Sequence, residues 1–578
     1  MTSQYKKYHS PEITVPEKGL VWNMYGAGDE NIGKDGKPEQ LPIPKPGANQ
    51  MLVRIDSVGL CFSDVKLIKM GGSHPKLYNR DLSKEPGRLG HEASLTVVEV
   101  GEELQDRYYP GQRLAVQPDI YQDGKSTAYG YTIPGGLIQY HLIGPEMLET
   151  DEGECLLPVD DSMGYAEASL LEPWGCVLAA YTQRRRLDPK NGGVMWIVGR
   201  RGDNAEYLFS RGLDAPAVII LSDVPEAVSA IVEKAKAKII VRNGVTPDQF
   251  EELAKEFTDG LGFDDIVILA QTSADLVGKI AKYSARRGTI NMVGKAPLDG
   301  LVDTDVGRLH YDYIAFIGNQ GPDIAASYGG ERNRCELFPK GTTVFVGAGG
   351  PMGQMHVQRA LELPDGPTTV IATEVSDQRL ASIQERFASL AEKKGRKLFT
   401  FNPQTSEKSL HDFVMELTGG KGAEDVVVSV PIAGVMAEGD TLMNENGMLV
   451  FFAGVPNGTM APMNLNNVYM NNAQYTGTSG LTLDDQRQVL SQASKGSLSP
   501  GRSVGAIGGM NAAKEGIKAV IDGKYAGKIV IFPQLEDLPL LGLDELEKSL
   551  PEVAEKLEPG NMWTVEAEEA LFEKYWKE

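Results

Sequence analysis

The chain has 578 residues, and its 79 acidic side chains outnumber its 57 basic ones, which gives a formal net charge of −22. This excess of negative charge argues against nucleic acid and anionic membranes as partners, because both attract clustered positive charge. With 41% hydrophobic residues, 65 glycines and 33 prolines, the composition is that of a folded, turn-rich protein of roughly three or four domains.

Residues 51–144 contain short β-branched runs that are separated by glycine and proline. The runs at 51–59, 95–101 and 112–118 are each long enough for one strand and are bounded by turn residues. Several short strands with frequent turns predict a small β-barrel or sandwich.

Beyond Pro158 the pattern changes to buried-strand runs that alternate with helical segments, and this alternation occurs twice. The first pass predicts strands at 194–198, 265–269, 288–293 and 313–317, and the second at 342–346, 425–429, 447–452 and 474–476. Gly262 and Gly422 are 160 residues apart, and Gly318 and Gly477 are 159 residues apart. A nearly constant offset over a whole segment indicates a duplicated, doubly wound α/β domain with a parallel sheet in each copy.

A polar, helix-poor stretch at 329–341 separates the two copies. After the second copy come a predicted helix and strand and then an acidic tail with a helical pattern, which we expect to be a solvated amphipathic helix without chemistry of its own. The predicted division is a barrel-type domain at 1–188, the first copy at 189–335, the second at 336–485, and a return to the barrel domain plus the tail at 486–578.

The cysteines and the N-terminal residues bear on the cellular compartment. Four cysteines, Cys61, Cys155, Cys176 and Cys335, do not form a disulfide framework in so long a chain. Residues 1–20 lack the apolar segment of a secretory signal, and no apolar run approaches the 18 or so residues that span a bilayer. We therefore expect a soluble, cytoplasmic protein.

The second copy carries a glycine-rich turn of the kind that holds a dinucleotide. Strand 342–346 leads into the turn and then into a helix, so the backbone can approach a pyrophosphate at the helix N-terminus. The next strand ends at Glu374, 21 residues past Gly353, where a carboxylate binds a ribose 2′-hydroxyl and repels a 2′-phosphate, which favours NAD over NADP. The predicted cofactor-binding residues are Gly347, Gly349, Gly350, Gly353, Glu374 and Arg379.

The same turn in the first copy, Gly199-Arg200-Arg201-Gly202, has two bulky cations in place of small residues. Two interpretations remain open. Arg200 and Arg201 could grip a phosphate from the side, or this copy has lost dinucleotide binding and serves structurally. The incomplete glycine set favours the structural role.

Residues that commonly bind metals occur in three segments of the chain. Cys61 and the neighbours His91 and Glu92 offer a thiolate, an imidazole and a carboxylate, and Glu172 adds a second carboxylate. Taken separately, such residues are more often part of a core than ligands. Three protein ligands with one open position are what a catalytic zinc site requires.

These segments resemble the zinc-dependent medium-chain alcohol and polyol dehydrogenases, and more particularly the sorbitol dehydrogenases and sorbose-1-phosphate reductases. The resemblance covers nearly the whole chain apart from one nucleotide-domain copy and the tail. It implies a GroES-like β-barrel as the catalytic domain, followed by two tandem Rossmann domains of which the first is degenerate. The matching motifs are Gly90-His-Glu-Ala-Ser94, Val97-Val-Glu-Val-Gly101, Pro110-Gly-Gln-Arg113, Gly135-Gly136 and Glu172-Pro173.

The resemblance implies a ligand set for one zinc ion. Cys61 and His91 would bind Zn²⁺ directly, and Glu92 or Glu172 would complete the shell, directly or through water. No cysteine lies between residues 119 and 136, where the family's structural zinc lobe falls. We therefore expect one catalytic zinc and no structural zinc.

The resemblance also implies catalytic residues, namely Ser63, Lys66 and Glu92. Ser63 corresponds to the hydroxyl that relays the substrate's proton. Lys66 stands where many members have a relay histidine, and three interpretations remain open. It passes a proton to solvent, it holds a substrate anion, or it is a solvated lysine of the barrel.

A basic stretch leads into the metal motif, and two aromatic residues are candidate pocket walls. The stretch either lines the site entrance and binds a phosphorylated sugar, or is a solvated loop whose charges balance Asp81 and Glu85. Tyr131 and Trp174 are either walls of the pocket or core residues. The basic stretch comprises Lys66, Lys69, His74, Lys76, Arg80, Lys84 and Arg88.

The predicted function is that of a zinc-dependent oxidoreductase that transfers a hydride between NAD(H) and a polyol, sugar or sugar phosphate. The alternatives are an epimerase or lyase that retains NAD without net redox change, and a non-catalytic sugar-binding or scaffold protein. Members of the family often assemble through the nucleotide domain, so we expect a homo-oligomer unless the added copy covers that edge.

Overall fold

The structure, a computed structural model, describes residues 3–182 and 184–577. The segment before residue 183 supplies nine strands and five helices. The strands are β1 (Lys18–Val21), β2 (Glu39–Pro42), β3 (Met51–Leu60), β4 (Glu92–Val100), β5 (Arg113–Val116), β6 (Tyr121–Gln122), β7 (Lys125–Ser126), β8 (Tyr140–Ile143) and β9 (Leu156–Pro158). The helices are α1 (Ser3–Tyr8), α2 (Phe62–Met70), α3 (Pro145–Leu148), α4 (Tyr165–Ser169) and α5 (Leu171–Ala179).

Two nucleotide-fold units follow. The first unit contains β10 (Val194–Val198), β11 (Val218–Ser222), α6 (Glu226–Val232), β12 (Lys238–Val241), α7 (Phe250–Thr258), β13 (Phe263–Leu269), α8 (Ala274–Ala281), β14 (Ser284–Val293), β15 (Val302–Asp305), α9 (Val306–Tyr311) and β16 (Ala315–Asn319). The second unit contains β17 (Thr342–Val346), α10 (Pro351–Glu362), β18 (Thr369–Thr373), α11 (Asp377–Lys393), β19 (Lys397–Phe401), α12 (Leu410–Leu417), β20 (Ala423–Val428), α13 (Ala433–Asp440), β21 (Met443–Phe451), β22 (Met460–Met463), α14 (Asn466–Met470) and β23 (Gln474–Gly477).

The C-terminal segment returns to the barrel. Its elements are α15 (Leu483–Ser494), β24 (Val504–Gly509), α16 (Ala513–Asp522), β25 (Lys528–Phe532), β26 (Leu541–Gly542), α17 (Leu546–Ser549), α18 (Pro551–Ala554) and α19 (Val565–Tyr575). Among the described residues, no helix is long and apolar enough to cross a membrane.

One sheet of eight strands joins the two ends of the chain. Its order is β26-β24-β25-β3-β4-β5-β9, and β8 also pairs with β3. β25 lies antiparallel to β3 with Ile529 opposite Leu60, and β4 lies antiparallel to β3 with Glu92 opposite Gly59. The barrel therefore needs strands from both the N-terminal and the C-terminal segment.

The two units have the same strand order, β12-β11-β10-β13-β14-β16 and β19-β18-β17-β20-β21-β23, and all these pairs are parallel. Every helix of the first unit has a counterpart in the second. The second unit has one further helix, α10, directly after β17. Residues 199–217, all within the described part of the chain, contain no helix. This confirms the duplicated α/β fold and the degeneracy of the first copy.

The two units pack against each other about an approximate twofold axis. β15 of the first unit and β22 of the second are equivalent strands, and they pair antiparallel with Val302 opposite Met463 and Asp305 opposite Met460. Buried apolar side chains from both units, among them Ile290 and Leu449, belong to one shared core. Because each unit buries apolar surface against the other, the pair behaves as one packed body.

The C-terminal helix α19 is buried, so the expectation of a solvated tail is wrong. Phe572 is fully buried, and so is the carboxylate of Glu568. Glu568 accepts hydrogen bonds from the backbone N–H groups of Tyr165 at 2.7 Å and Ala166 at 3.0 Å, and from the hydroxyl of Tyr5 at 2.8 Å. The local pattern predicted the helix correctly, but its burial depends on α1 and α4, which lie far away in the sequence.

Candidate active site

Three potential metal ligands lie together at the barrel. The ligand atoms of Cys61, His91 and Glu92 are all within 4.8 Å of one another. Cys61 follows the last residue of β3, while His91 precedes β4 and Glu92 begins it, so the pairing of β3 with β4 brings the three together. Within residues 3–182 and 184–577, this is the only group of three or more such side chains. We call it the metal-ligand group.

Lys528 and Gly59 hold Glu92 in place. The Lys528 ammonium lies 2.5 Å from Glu92 Oε1, and both side chains are buried. Burial acts to lower the pKa of Lys528, but the charges of Glu92 and Cys61 outweigh it and raise the pKa above its usual range. A Cβ atom added to Gly59 would lie 2.1 Å from Glu92 Oε2, so a larger residue there would displace the carboxylate. Sequence reasoning missed Lys528, although a lysine at the head of the apolar strand β25 was a visible signal.

Asp64 positions His91 and was also missed. Its Oδ2 accepts the N–H of Cys61 at 3.0 Å, and its Oδ1 accepts the N–H of Gly90 at 3.2 Å. Oδ1 also lies 3.6 Å from His91 Nδ1, which is an ionic contact and too long for a hydrogen bond. Burial acts to raise the pKa of Asp64, but His91 and the two N–H groups hold it below its usual value. The visible signal was an acidic residue at the third position of α2.

Glu172 lies near this group but not within it. It is buried on α5, and the thiol of Cys176 lies 3.7 Å from its Oε1. Burial raises the pKa of Glu172 to about 7; His91 acts to lower it and Glu92 to raise it. Glu172 therefore feels the charges of the group, while the carboxylate next to Cys61 and His91 is that of Glu92.

Ser63 and Lys66 lie three residues apart on α2, which places them on neighbouring positions of one helix face. Ser63 Oγ is 3.7 Å from the sulfur of Cys61. The side chain of Lys66 is exposed. Its charge adds to the effect of burial in lowering the pKa of His310, a residue of α9 in the first unit, to about 4. Lys66 therefore faces the region where the barrel approaches that unit.

The middle of the basic stretch is paired with carboxylates of its own loop. Lys84 Nζ lies 3.1 Å from Asp81 Oδ2, and Arg80 Nε lies 3.9 Å from Glu85 Oε2. These four side chains line a surface cleft of about 370 Å³, and none of them belongs to the metal-ligand group. The charge-balanced interpretation holds for this part of the stretch.

Lys76 also belongs to the basic stretch and approaches the candidate site. Its ammonium lies 3.2 Å from Asp119 Oδ1 and 5.1 Å from the centre of the Tyr131 ring. The Tyr131 ring is in turn 6.0 Å from the His91 ring. Tyr131 thus forms a wall beside the metal-ligand group, whereas Trp174, the other candidate, is a fully buried core residue.

The six predicted cofactor residues meet at the carboxyl edge of the second sheet. Gly347 follows β17 with φ +77°, in the left-handed region that favours glycine. The N–H of Gly349 donates to Glu374 Oε2 at 3.2 Å, and a Cβ atom on Gly349 would lie 2.2 Å from that oxygen. Arg379 Nη1 lies 4.0 Å from the same carboxylate oxygen.

The N-terminus of α10 is open at this edge. Gly350 precedes the helix, and nothing lies within 4 Å of the position that a Cβ atom on it would take. A Cβ atom on Gly353 would lie 2.7 Å from Ala348 Cα, so this glycine lets the helix pack closely on the turn. An open helix N-terminus beside a close glycine turn is the geometry that receives a pyrophosphate.

In the first unit, bulky side chains occupy the positions equivalent to the glycine turn. Arg201 stands where the second unit has Gly349, and its Nε lies 3.1 Å from Oδ1 of Asp223, the counterpart of Glu374 after β11. Because residues 199–217 contain no helix, this unit has no helix N-terminus at its turn. The guanidinium of Arg201 is thus paired within the protein.

The metal-ligand group and the glycine turn are joined through two packed helices. α5 carries Glu172, and α10 begins at the turn; the two helices are in contact. The hydroxyl of Tyr181, just beyond α5, lies 2.6 Å from Nδ1 of His356 in α10. Apolar side chains of both helices, Trp174 and Val357 among them, belong to one core. The two candidate sites therefore keep a defined relative position.

Comparison with known proteins shows which proteins the chain is similar to. The model of the alcohol dehydrogenase GroES-like domain matches residues 47–148. The chain is 23% identical over 552 residues to mannitol-1-phosphate 5-dehydrogenase of Aliivibrio fischeri, which covers 94% of this chain and 96% of that protein. It is 22% identical over 554 residues to L-sorbose 1-phosphate reductase of Klebsiella pneumoniae, covering 93% and 95%. Over most of its length the chain is similar to zinc-type alcohol and polyol dehydrogenases, and residues 47–148 form an alcohol dehydrogenase GroES-like domain.

A solved structure is also similar to this chain. That of 2R,3R-butanediol dehydrogenase from Bacillus subtilis has a TM-score of 0.49 and 16% identity, and it covers 89% of this chain and 99% of that one. The names of these relatives support an oxidoreductase activity for this chain. The two sequence relatives align over most of the chain and hence over both nucleotide-fold units.

Proposed function

We propose that this chain is a zinc- and NAD-dependent dehydrogenase that interconverts a hydroxyl and a carbonyl group on a polyol, sugar or sugar phosphate. The observation that carries the proposal is the presence, on one packed body, of the metal-ligand group and the open glycine turn of the second unit. Two relatives that align over most of the chain are named for phosphorylated substrates, which supports a sugar phosphate as the substrate class.

The metal-ligand group fits a zinc ion. Thiolate, imidazole and carboxylate are its usual protein donors. Glu92 Oε2 is buried and has no hydrogen-bond partner among the described residues, so it is available as a ligand. His91 Nδ1 faces Asp64, which is the arrangement that orients a ligating histidine. Cys61, His91 and Glu92 would hold one catalytic zinc and leave a position for substrate. The bound ion supplies a Lewis acid that lowers the pKa of a substrate hydroxyl.

The surrounding residues of the chain position the ligands and move the proton. Asp64 holds His91 by an ionic contact, and Lys528 neutralises the charge of Glu92. Ser63, beside Cys61, accepts the proton of the substrate hydroxyl. Ser63 gives up its own O–H proton as it does so, and Lys66, one turn further along the same helix and exposed, would take up that proton after releasing one of its own to solvent.

The glycine turn fits a dinucleotide. Gly350 and the N-terminus of α10 would receive the pyrophosphate, and Glu374 would accept a hydrogen bond from the ribose 2′-hydroxyl. The same carboxylate repels a 2′-phosphate, which supports NAD over NADP. The bound nicotinamide supplies the two-electron carrier that takes or returns a hydride.

The proposal is tested with the purified chain and two matched cysteine variants. NAD reduction is screened over polyols and sugar phosphates, and zinc is counted by inductively coupled plasma mass spectrometry. We expect one zinc per chain in the wild type and in Cys335→Ser, whose residue is an exposed cysteine outside the site. Cys61→Ser should lose the zinc and at least about a hundredfold in kcat/KM, because one of three ligands is removed.

Three results would contradict parts of this proposal. A zinc-free wild type that binds no NADH would remove the enzyme assignment. Activity unchanged in Cys61→Ser would remove the zinc assignment. NAD that copurifies and turns over without net NADH change would support an epimerase or lyase instead.

A further inference from the structure

The two nucleotide-fold units touch each other reciprocally, as the halves of a symmetric dimer do. A Cβ atom on Gly477 of the second unit would lie 3.3 Å from His310 Cα of α9, and one on Gly318 of the first unit would lie 2.5 Å from Tyr469 Cβ of α14. His310 and Tyr469 are 159 residues apart, and so are Gly318 and Gly477. A contact in which equivalent residues exchange roles is isologous, the form that a twofold dimer interface takes.

In the second unit this contact lies at the carboxyl ends of the strands, where parallel sheets bind their ligands. His310 Nδ1 is 3.1 Å from the carbonyl oxygen of Phe451, the last residue of β21. A Cβ atom on Gly454 would lie 2.5 Å from the Tyr311 hydroxyl and 2.8 Å from His310 Nε2. The first unit thus places two side chains over the sheet edge of the unit that keeps the dinucleotide turn.

Tyr311 also faces the barrel. Burial raises the pKa of Tyr311 and the positive charge of Lys76 acts to lower it, which brings Lys76 within electrostatic range of the phenol. Lys76 lies above Tyr131, the wall beside His91. α9 packs on β23, and a Cβ atom on Gly480, just past β23, would lie 2.6 Å from Oδ2 of Asp119, the carboxylate that pairs with Lys76. Tyr311 therefore lies on the face of the second unit that meets this wall.

The two reciprocal helices differ in how their tyrosine hydroxyls are used. Tyr469 donates to the carbonyl of Ala296 and lies near Asn466 Oδ1, each at 2.8 Å. The hydroxyl of Tyr311 has no hydrogen-bond partner among the described residues, and 37% of this side chain is exposed. One hydroxyl thus completes the interface, and the other remains free over the sheet edge of the second unit.

We propose that the first unit serves as a built-in partner subunit and that the Tyr311 hydroxyl binds a hydroxyl group of the polyol or sugar substrate. This inference rests on the proposed function and names a specificity residue for it. A phenol both donates and accepts a hydrogen bond, as a polyol hydroxyl requires. β21 lies two strands away from β17, which carries the glycine turn, so Tyr311 stands away from the pyrophosphate end of the sheet edge.

The test compares Tyr311→Phe with Tyr469→Phe in the zinc-loaded full chain. Each variant removes one hydroxyl from one of the two reciprocal helices and keeps the ring. For Tyr311→Phe we expect KM for the polyol substrate to rise about three- to tenfold, with kcat and the NADH dissociation constant unchanged, because one neutral hydrogen bond to substrate is lost. For Tyr469→Phe we expect unchanged kinetics and a lower melting temperature.

The readouts separate the outcomes. NADH affinity is measured by fluorescence titration without substrate, and folding by thermal melting. If the wild type is active and Tyr311→Phe has the same KM as the wild type or Tyr469→Phe, this inference is overturned while the proposed function stands. A loss of NADH affinity with unchanged KM would also overturn it, since the hydroxyl would then face the cofactor. A wild type inactive on every polyol and sugar phosphate would overturn the proposed function first and this inference with it.

Discussion

In the first nucleotide-fold unit, Arg186 reaches the buried carboxylate of Asp265 at 3.1 Å, and in the second unit Arg334 reaches the buried carboxylate of Asp425 in the same way. The two aspartates are 160 residues apart, as the duplicated strands are. The reciprocal contacts of α9 and α14 are likewise present on both sides. Both units therefore keep the contacts that anchor their linkers and hold them together.

The units differ where a ligand would bind. The second has a helix after its first strand and a glycine whose N–H donates to Glu374. The first has no helix in residues 199–217 and an arginine paired with Asp223. The comparison teaches that packing contacts and ligand contacts are separable in this fold. A unit that only has to support its neighbour needs the buried ion pair and the interface, but not the glycine turn.

The largest effect is expected from replacing Gly349 in the glycine turn of the second unit by arginine, the residue that the first unit has at the equivalent position. Gly349→Arg should weaken NADH binding about a hundredfold or more, because even a Cβ atom would lie 2.2 Å from Glu374 Oε2. Fluorescence titration with NADH measures it. Gly300→Arg, at an exposed glycine of the first unit with nothing within 4 Å of its Cβ position, is the control and should bind NADH normally. Normal binding by Gly349→Arg would mean that the turn does not hold the dinucleotide.

The next-largest effect is expected from the buried arginine–aspartate ion pair that both units keep. Arg334→Met should lower the free energy of unfolding by about 3 kcal/mol, because it leaves the carboxylate of Asp425 buried without its cation. Arg186→Met should act in the same direction but less. Each aspartate keeps a backbone N–H donor, but the hydroxyl donor is closer to Asp265 (Tyr328, 3.0 Å) than to Asp425 (Thr343, 3.4 Å). Urea unfolding measures both. If Arg334→Met lowered the free energy of unfolding and Arg186→Met did not, a shared structural role of the two ion pairs would be contradicted.

This destabilisation should depend on pH. Burial raises the pKa of Asp425 to about 6, although Arg334 acts to lower it. A group whose pKa is raised by folding stabilises the native state at low pH and loses that contribution as the pH rises through its folded pKa. The defect of Arg334→Met should therefore be larger at pH 8 than at pH 5. Adding Asp425→Asn should remove the difference, and a defect that grows on acidification would contradict this.

A smaller effect is expected from the acidic residue that follows the second strand of each unit, which is Glu374 in the second unit and Asp223 in the first. Glu374→Ser should reduce the preference for NAD over NADP about tenfold, since it removes the acceptor for the 2′-hydroxyl and leaves Arg379 free to meet a 2′-phosphate. The ratio of kcat/KM with the two cofactors measures it. Asp223→Ser, the control in the first unit, should leave the ratio unchanged. A shift in the control would show that the first unit binds cofactor.

The smallest effect is expected from the reverse exchange. Arg201→Gly restores a glycine to the first unit but not the missing helix, so it should create no second dinucleotide site. Calorimetric titration should give one NADH per chain in the wild type and in the variant. Two sites in the variant would mean that Arg201 alone closes the first unit.

The elements that sequence predicted best are those whose pattern is local. The run at 194–198 coincides with β10, and the run at 342–346 with β17, because a strand buried on both faces needs a continuous apolar run. The motifs around Cys61, His91 and Glu92 also predicted a metal site that the structure brings together. That site remains a prediction until zinc is measured.

The residues that sequence missed act across long separations. Lys528 meets Glu92 across 436 residues, because β25 returns to pair with β3. The tail helix was predicted as a helix but not as a buried one, since its partners in α1 and α4 lie hundreds of residues away. No periodicity in the tail distinguishes a face that meets solvent from one that meets another helix.

By itself, then, the sequence determined the duplicated α/β pattern, the glycine turn that only one copy keeps, and the segments that carry the metal ligands. Each of these is set by residues close together in the chain. The tertiary structure decided that Lys528 and Asp64 flank the metal ligands, and that the first unit places Tyr311 over the sheet edge of the second unit. These contacts depend on how sheets and helices pack, and packing is a property of shape and burial over the whole chain.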